Sequence, residues 1–284
     1  MKDKLHYYLC GLAMGAADVV PGVSGGTIAF ITGIYPRLLN AIESFNLNFF
    51  RLLLRLRLRE AAALIPWGFL LPLLAGIATS IFSLAKGVTY ALHTWPVLIW
   101  SFFFGLIIAS ILHLWKELHH TLPATWLGLA AGAIAGWLIG GASSVDIGQS
   151  LPIYFASGFI AICAMILPGI SGAFILVLLG QYARVIRAVA ELDFLVLIVF
   201  AAGCATGIMS FARVVNYMLA RWPNAVMAVL TGLMIGSLRT IWPWQAEGAL
   251  ILPQAVNTEF FLAVVCGLIG VGVPPLLSMI AKRK

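Results

Sequence analysis

Apolar segments long enough to cross a membrane follow one another along nearly the whole chain. Hydrophobic residues make up 62% of its 284 positions and charged residues 10%, whereas soluble domains are about 25% charged. A bilayer core about 30 Å thick requires about 20 mostly apolar residues per helix. Because no water-soluble fold hides that much apolar surface, the sequence predicts an all-α polytopic membrane protein.

The chain also contains one pattern twice. The sequence Pro-Gly-Val-Ser-Gly of residues 21–25 returns as Pro-Gly-Ile-Ser-Gly at residues 168–172, an offset of 147 residues. Further along the chain, the Trp-Pro pair at 95–96 returns at 222–223, an offset of 127 residues. Self-similarity of this kind is typical of internally repeated folds.

The smaller second offset indicates an insertion in the first copy. It corresponds to a basic stretch near residues 44–63 that contains four arginines. We therefore interpret residues 1–284 as a single membrane domain, with repeat one at 1–142 and repeat two at 143–284. The basic insertion is expected to lie at the cytoplasmic surface, where anionic lipids attract it.

Each repeat reads as two short apolar segments separated by the break motif, followed by three fuller spans. The predicted segments lie at about 5–20, 24–42, 64–82, 96–114 and 124–141 in repeat one, and at about 152–167, 171–190, 194–211, 223–238 and 258–280 in repeat two. The two short segments are expected to form a re-entrant hairpin. Three true crossings, an odd number, would then place the repeats in inverted topologies.

The distribution of basic residues supports this inversion. With the N-terminus cytoplasmic, 13 of the 17 Lys and Arg residues fall inside, and only Lys86, Arg184, Arg187 and Arg239 fall outside. Cytoplasmic loops carry such an excess of positive charge. We therefore expect a multi-pass protein of a bacterial cytoplasmic (inner) membrane with both termini cytoplasmic.

The two breaks are predicted to form an anion site. Non-helical backbone at membrane depth is tolerated only where protein or water satisfies its polar groups. Ser24 and Ser171 stand where helix N-caps belong, and free amides at a helix N-terminus suit phosphate or carboxylate. The predicted phosphate-binding residues are Ser24, Gly25, Gly26, Thr27, Ser171, Gly172 and Ala173. The alternative is that these small residues only let helices cross closely.

Two arginines occupy equivalent places beyond the breaks. Arg37 and Arg184 lie thirteen residues after Ser24 and Ser171, about 20 Å along a continuous helix. Guanidinium groups bind phosphate oxygens in a bidentate manner, so we expect each to receive the headgroup at one leaflet. Ordinary snorkelling at a helix end is the alternative.

Asp18 is the single acidic residue inside an apolar segment, and the equivalent residue in repeat two is Met165. A carboxylate there costs roughly 2.5 to 3.5 kcal/mol on insertion scales. A role in coupling, by holding H⁺ or Na⁺, is one explanation. The other is that Asp18 caps the break or pairs with an arginine.

The sequence of residues 14–27, the Gly-Ile-Tyr of 33–35 and the second break motif resemble the bacterial polyprenyl-phosphate transporter family, long catalogued as a domain of unknown function. The resemblance implies that the protein is a flippase. It would carry its lipid partner, undecaprenyl phosphate, from the outer to the inner leaflet for reuse in peptidoglycan and other envelope glycans. It leaves the oligomeric state, including a homo-oligomer, open.

Two other classes of protein were weighed against this one. Undecaprenyl pyrophosphate phosphatases have a similar loop with an arginine after the serine and a pair of glutamates, which this chain lacks. No nucleophile with a base is recognisable, and the four cysteines lack metal-ligand spacing, so neither catalytic residues nor a metal or other cofactor is predicted. A small-anion channel would share the helix ends and remains an alternative.

The inverted arrangement predicts which loops share a side of the membrane. Reporters at Arg57 and Lys284 should be cytoplasmic, and reporters at Asp146 and Glu247 should be external. Labelling of introduced single cysteines with a membrane-impermeant reagent measures this. Finding Asp146 and Arg57 on the same side would contradict the inversion.

Overall fold

The computed structural model describes residues 2–20, 22–119, 122–246, 249–253 and 255–282. Pro21 of the first break motif, and Glu247 and Lys284 of the topology prediction, lie outside the described residues. The described part of the chain is helical apart from one short antiparallel hairpin. Its elements are α1 (Lys2–Asp18), α2 (Gly25–Ile31), α3 (Tyr35–Glu43), α4 (Leu47–Leu54), α5 (Leu58–Ala63), α6 (Trp67–Thr94), α7 (Pro96–Trp115), α8 (Pro123–Gly140), α9 (Leu151–Ile166), α10 (Gly172–Leu178), α11 (Tyr182–Glu191), α12 (Phe194–Arg221), α13 (Pro223–Ser237), β1 (Gln245–Ala246), β2 (Ala249–Leu250) and α14 (Thr258–Lys282).

Five of these helices are long and apolar enough to cross a membrane, namely α6, α7, α8, α12 and α14. Many of their large apolar side chains are exposed in the isolated chain; Leu195 and Ile198 of α12, for example, are 60% and 66% exposed. Such surfaces suit lipid tails. The prediction of an all-helical, multi-pass membrane protein is therefore confirmed. The sixth predicted crossing corresponds to α13, which has 15 residues and is shorter than a full span.

Helix pairing follows the sequence repeat. Helix α1 packs along α6, and the equivalent helices α9 and α12 pack in the same way. Helix α7 packs along α14, whereas its equivalent α13 packs along α8. Because α14 belongs to the second half of the chain and α8 to the first, the last helix of each half packs against the other half.

Glycines at equivalent places allow these close pairings. A Cβ atom on Gly11 of α1 would overlap the carbonyl oxygen of Leu73, and one on Gly158 of α9 would overlap that of Phe200. Each glycine matches the other at the offset of 147 residues, and each carbonyl matches at 127. Helices in lipid associate through such small-residue contacts, since no hydrophobic force drives them together.

The second hairpin arm differs from the prediction. The segments expected at 24–42 and 171–190 are each broken into two helices, and α11 turns 104° away from α10. The breaks lie at Gly33 and Gly180, which have φ of +72° and +64°. At Gly33, the amide of Ile34 bonds the carbonyl of Ala29, the pattern of a helix ending in a left-handed glycine. The expected 20 Å path along one helix to Arg37 and Arg184 is therefore wrong.

The close packing of α1 on α6 generates a test with an internal control. A Cβ atom on Gly76 would overlap the carbonyl oxygen of Tyr8, while one on Gly87 in the same helix meets nothing within 4 Å. We expect Gly76→Ala to lower the free energy of unfolding by about 1 to 3 kcal/mol, as overpacking does. The Gly87→Ala variant should be neutral or slightly stabilising. Thermal aggregation in detergent, followed by gel filtration, compares the two, and equal melting would contradict the packing.

Candidate functional site

The two break motifs meet inside the protein. The hydroxyl of Ser24 donates a 2.9 Å hydrogen bond to the carbonyl of Met165, and the amide of Gly169 donates a 2.9 Å bond to the hydroxyl oxygen of Thr27. Both hydroxyl residues are fully buried. Each break thus satisfies a backbone group that the other leaves without a helical partner.

Glycine is required where the two breaks approach each other. A Cβ atom on Gly26 would lie 2.8 Å from the carbonyl oxygens of both Met165 and Ile166. Real Cβ atoms do not come this close to backbone oxygens. The second glycine of the first motif therefore allows the end of α9 to reach the start of α2.

The helix start at the first break is already occupied. Asp18 Oδ1 accepts a 2.7 Å bond from the amide of Gly25, and Ser24 Oγ accepts a 3.0 Å bond from the amide of Gly26. The Thr27 amide bonds the carbonyl of Ser24 at 2.9 Å. The expectation of free amides therefore fails at this break, and Asp18 caps α2. The glycine at 25 permits this contact, since a Cβ atom there would lie 2.6 Å from Asp18 Oδ2.

The second break lacks such an internal anion. Ser171 is the N-cap of α10, but its side chain makes no capping bond, and Met165 replaces the carboxylate. Within the described part of the chain, the amides of Gly172 and Ala173 have no hydrogen-bond acceptor. Of the two predicted anion sites, only this one has free amides.

The space at the second break is small. A cavity of about 10 Å³ lies beside Ser171, room for about one water molecule. It shares Phe174 and Thr240 with an adjoining pocket of about 370 Å³, whose lining includes Arg239. A phosphate therefore fits in the adjoining pocket, and reaches Ser171 only if the breaks move apart.

The arginines predicted to bind phosphate do not touch the breaks. Arg37 on α3 donates to the hydroxyl of Tyr7, and its Cζ lies 4.8 Å from that ring centroid and 5.3 Å from that of Phe69. A guanidinium above two aromatic faces is stabilised by their quadrupoles.

Arg184 on α11, the equivalent of Arg37, has different partners. It donates 2.7 Å bonds to the carbonyl of Gly148 and to Asp146 Oδ2. This hydrogen bond and the arginine's charge lower the pKa of the Asp146 carboxyl. The loop before α9 is thereby tied to α11, so equivalent arginines are held in different ways.

The contact between the breaks generates a test of its structural weight. Removing the hydroxyl of Thr27 in Thr27→Val leaves the buried Gly169 amide without an acceptor, which costs about 1 to 3 kcal/mol. Thr27→Ser keeps the acceptor and should melt close to the wild type. Melting temperatures of the two purified variants measure the difference, and a Val variant as stable as the Ser variant would contradict it.

Sequence comparisons relate this chain to transporters. The family model described as undecaprenyl phosphate translocase-like matches residues 14–258. A polyprenyl-phosphate transporter of Vibrio cholerae serotype O1 is 46% identical over 241 residues, which are 85% of this chain and 78% of that protein. A polyprenyl-phosphate transporter of Staphylococcus aureus is 30% identical over 254 residues, 83% of this chain and 85% of that protein.

No solved structure matches the chain. The groups of at least three His, Cys, Asp or Glu side chains that could hold a metal ion are absent from the described residues. Both relatives carry the name of a transporter, not of an enzyme. With the family model covering most of its length and a relative at 46% identity, this chain belongs to the undecaprenyl phosphate translocase-like family of membrane transporters.

Proposed function

We propose that the protein is a flippase that moves undecaprenyl phosphate from the outer to the inner leaflet of the cytoplasmic membrane. The lipid carrier would thereby be recycled for peptidoglycan and other envelope glycans. Family membership supports the substrate class. The observation that carries the mechanism is the meeting of two helix breaks, one from each half of the chain, within a bundle of membrane helices.

The proposed architecture is a pair of inverted repeats. Each contains a broken hairpin, α1–α2 or α9–α10, and three further helices. The contacts between loops support the assigned sides: Asp146 and Arg184, both assigned outside, form an ion pair at 2.7 Å, and Glu43 accepts a 2.7 Å bond from Asn216 on the assigned inside. Transporters with such repeats bind substrate where discontinuous helices meet near the bilayer midplane. Both termini are then cytoplasmic.

In the proposed cycle, the lipid phosphate enters between the breaks. The bonds from Ser24 to Met165 and from Gly169 to Thr27 open, and phosphate oxygens replace these partners. The groups that bind the phosphate are those of Ser24, Gly25, Gly26, Thr27, Ser171, Gly172 and Ala173, with Arg37 and Arg184 receiving the headgroup at the two membrane faces. Because buried polar groups left unpaired are costly, the breaks separate only when an anion or water takes over.

Asp18 is the proposed coupling residue. Moving a lipid phosphate inward carries negative charge toward the negative side, which costs about 2.3 kcal/mol per charge per 100 mV. A proton or Na⁺ that travels with the phosphate cancels this cost. The Asp18 carboxylate accepts the Gly25 amide at 2.7 Å, where a phosphate oxygen would bind. Neutralising this carboxylate with H⁺ or Na⁺ releases the amide and removes the repulsion between the two anions.

Reconstituted liposomes test the function directly. Labelled undecaprenyl phosphate supplied to one leaflet should exchange to the other faster with the protein than without it, and no free phosphate should appear. Flux of small anions without lipid exchange would favour the anion channel. Phosphate release would favour a phosphatase-like enzyme, against the names of the relatives.

The same liposomes test the coupling. Asp18→Asn keeps an acceptor for the Gly25 amide but holds no proton or Na⁺, so imposed H⁺ or Na⁺ gradients should no longer accelerate inward flipping. Exchange without a gradient should survive. Glu191→Gln, which removes an exposed carboxylate at the end of α11, is the control and should respond as the wild type does. A full gradient response by the Asn variant would give Asp18 a purely structural role.

A further inference from the structure

We propose that Arg239 and the apolar groove beside it form the site at which the protein first holds its lipid. The phosphate binds the guanidinium and the prenyl chain lies in the groove. This inference rests on the transport function proposed above, and adds a substrate site that lies outside both break motifs.

The groove lies between α8 and α13, beneath the chain that leads into and out of the β-hairpin. Its volume is about 690 Å³, within the range of sites that hold small molecules. Apart from Arg239, its lining is apolar or glycine: Phe104, Ala133, Ile134, Trp137, Leu138, Ile235, Gly236, Leu238, Trp242, Leu250, Ile251 and Leu252. A 2.9 Å bond from the indole nitrogen of Trp242 to the carbonyl of Ile251 holds the covering segment in place. The composition of this lining suits a hydrocarbon chain and offers little to a soluble ligand.

Arg239 lies where this groove meets the polar pocket next to the second break, and it lines both. Its Cζ lies 4.8 Å from the centroid of Trp137, and its contact with the Trp137 carbonyl is long, at 3.5 Å. Among the described residues, no carboxylate lies within ion-pair distance of Arg239. The guanidinium therefore keeps its bidentate donors for a phosphate, in contrast to Arg184, which is tied to Asp146.

Two glycines make room for this headgroup. A Cβ atom on Gly141 would overlap the guanidinium of Arg239, and one on Gly140 would lie 2.5 Å from Thr240 Oγ1. The polar pocket of about 370 Å³ that they border is also lined by Ser143 and Gln245. Since Thr240 also borders the cavity beside Ser171, a phosphate at Arg239 lies at the entrance to the second break.

The repeat builds a second, smaller cleft of about 280 Å³ between α7 and α14. At the offset of 127 residues, Ala109 and Leu112 of that cleft match Gly236 and Arg239. Leucine thus replaces the arginine, so only one of the two clefts has a guanidinium at this position. In the inverted arrangement, Arg239 faces outside, the side from which the lipid is taken. The groove is therefore the loading site of the proposed cycle.

Equilibrium binding of a radiolabelled polyprenyl monophosphate to the purified full-length protein in detergent tests this inference. Loss of charge-assisted bonds to phosphate costs about 1.5 to 3 kcal/mol, so Arg239→Gln should weaken binding by about ten- to a hundredfold. Arg239→Lys should recover part of the loss because it keeps the charge but not the fork. Gly141→Ala, which displaces the guanidinium, should also weaken binding. Arg187→Gln, which removes an exposed outside arginine, is the matched control and should bind as the wild type does.

Competition separates the phosphate from the tail. Unlabelled polyprenyl monophosphate should displace the label at far lower concentration than inorganic phosphate, the matching prenol or phosphatidylglycerol. Equal competition by phosphatidylglycerol would overturn recognition of the prenyl chain.

Wild-type affinity in Arg239→Gln would overturn the site, while leaving the transport function standing if the wild type exchanges lipid in liposomes. If the Gln variant fails gel filtration, the Lys and Gly141→Ala variants decide, and wild-type affinity in both overturns the site. A wild-type protein that neither binds nor exchanges the lipid would overturn both proposals.

Discussion

The central constraint on this protein is that backbone polar groups inside a bilayer need partners within the protein. Two helix breaks at membrane depth would each leave amides and carbonyls without helical partners. Here each break supplies a partner for the other, through the hydroxyls of Ser24 and Thr27 and the backbone of Met165 and Gly169. The same atoms that hold the two halves of the chain together are thus those that a substrate phosphate would have to replace.

Much of this arrangement is predictable because the repeat doubles the signal. The ends of α7, α8, α9, α12 and α13 lie within a few residues of prediction at most starts, since proline or aspartate marks them. Helices α6 and α12 run about a turn and more beyond their apolar segments, because polar residues at a membrane surface continue a helix as well as apolar ones do. The turns at Gly33 and Gly180 were missed since apolar residues continue on both sides of each glycine.

The contacts of the candidate site were harder to predict. The bond from Gly25 to Asp18 depends on the reversal of the chain between α1 and α2, which spacing alone does not give, although capping of the break was one of the two roles considered for Asp18. Reasoning from repeat symmetry selected Arg37 and Arg184 because they match each other. The same reasoning passed over Arg239, whose equivalent is Leu112. Pattern matching between repeats therefore finds shared architecture and overlooks residues that make the two halves different.

Those differences carry the direction of the proposed transport. The first break contains its own anion, the carboxylate of Asp18 on the Gly25 amide, whereas the second has free amides at Gly172 and Ala173. A phosphate arriving at Arg239 thus meets the unoccupied break first. It advances to the first break only when the Asp18 carboxylate has given up its amide, and neutralisation by a cation drives that exchange. An equivalent acid in place of Met165 would block the second break in the same way, so the methionine leaves entry from the outside open while Asp18 ties onward movement to an ion.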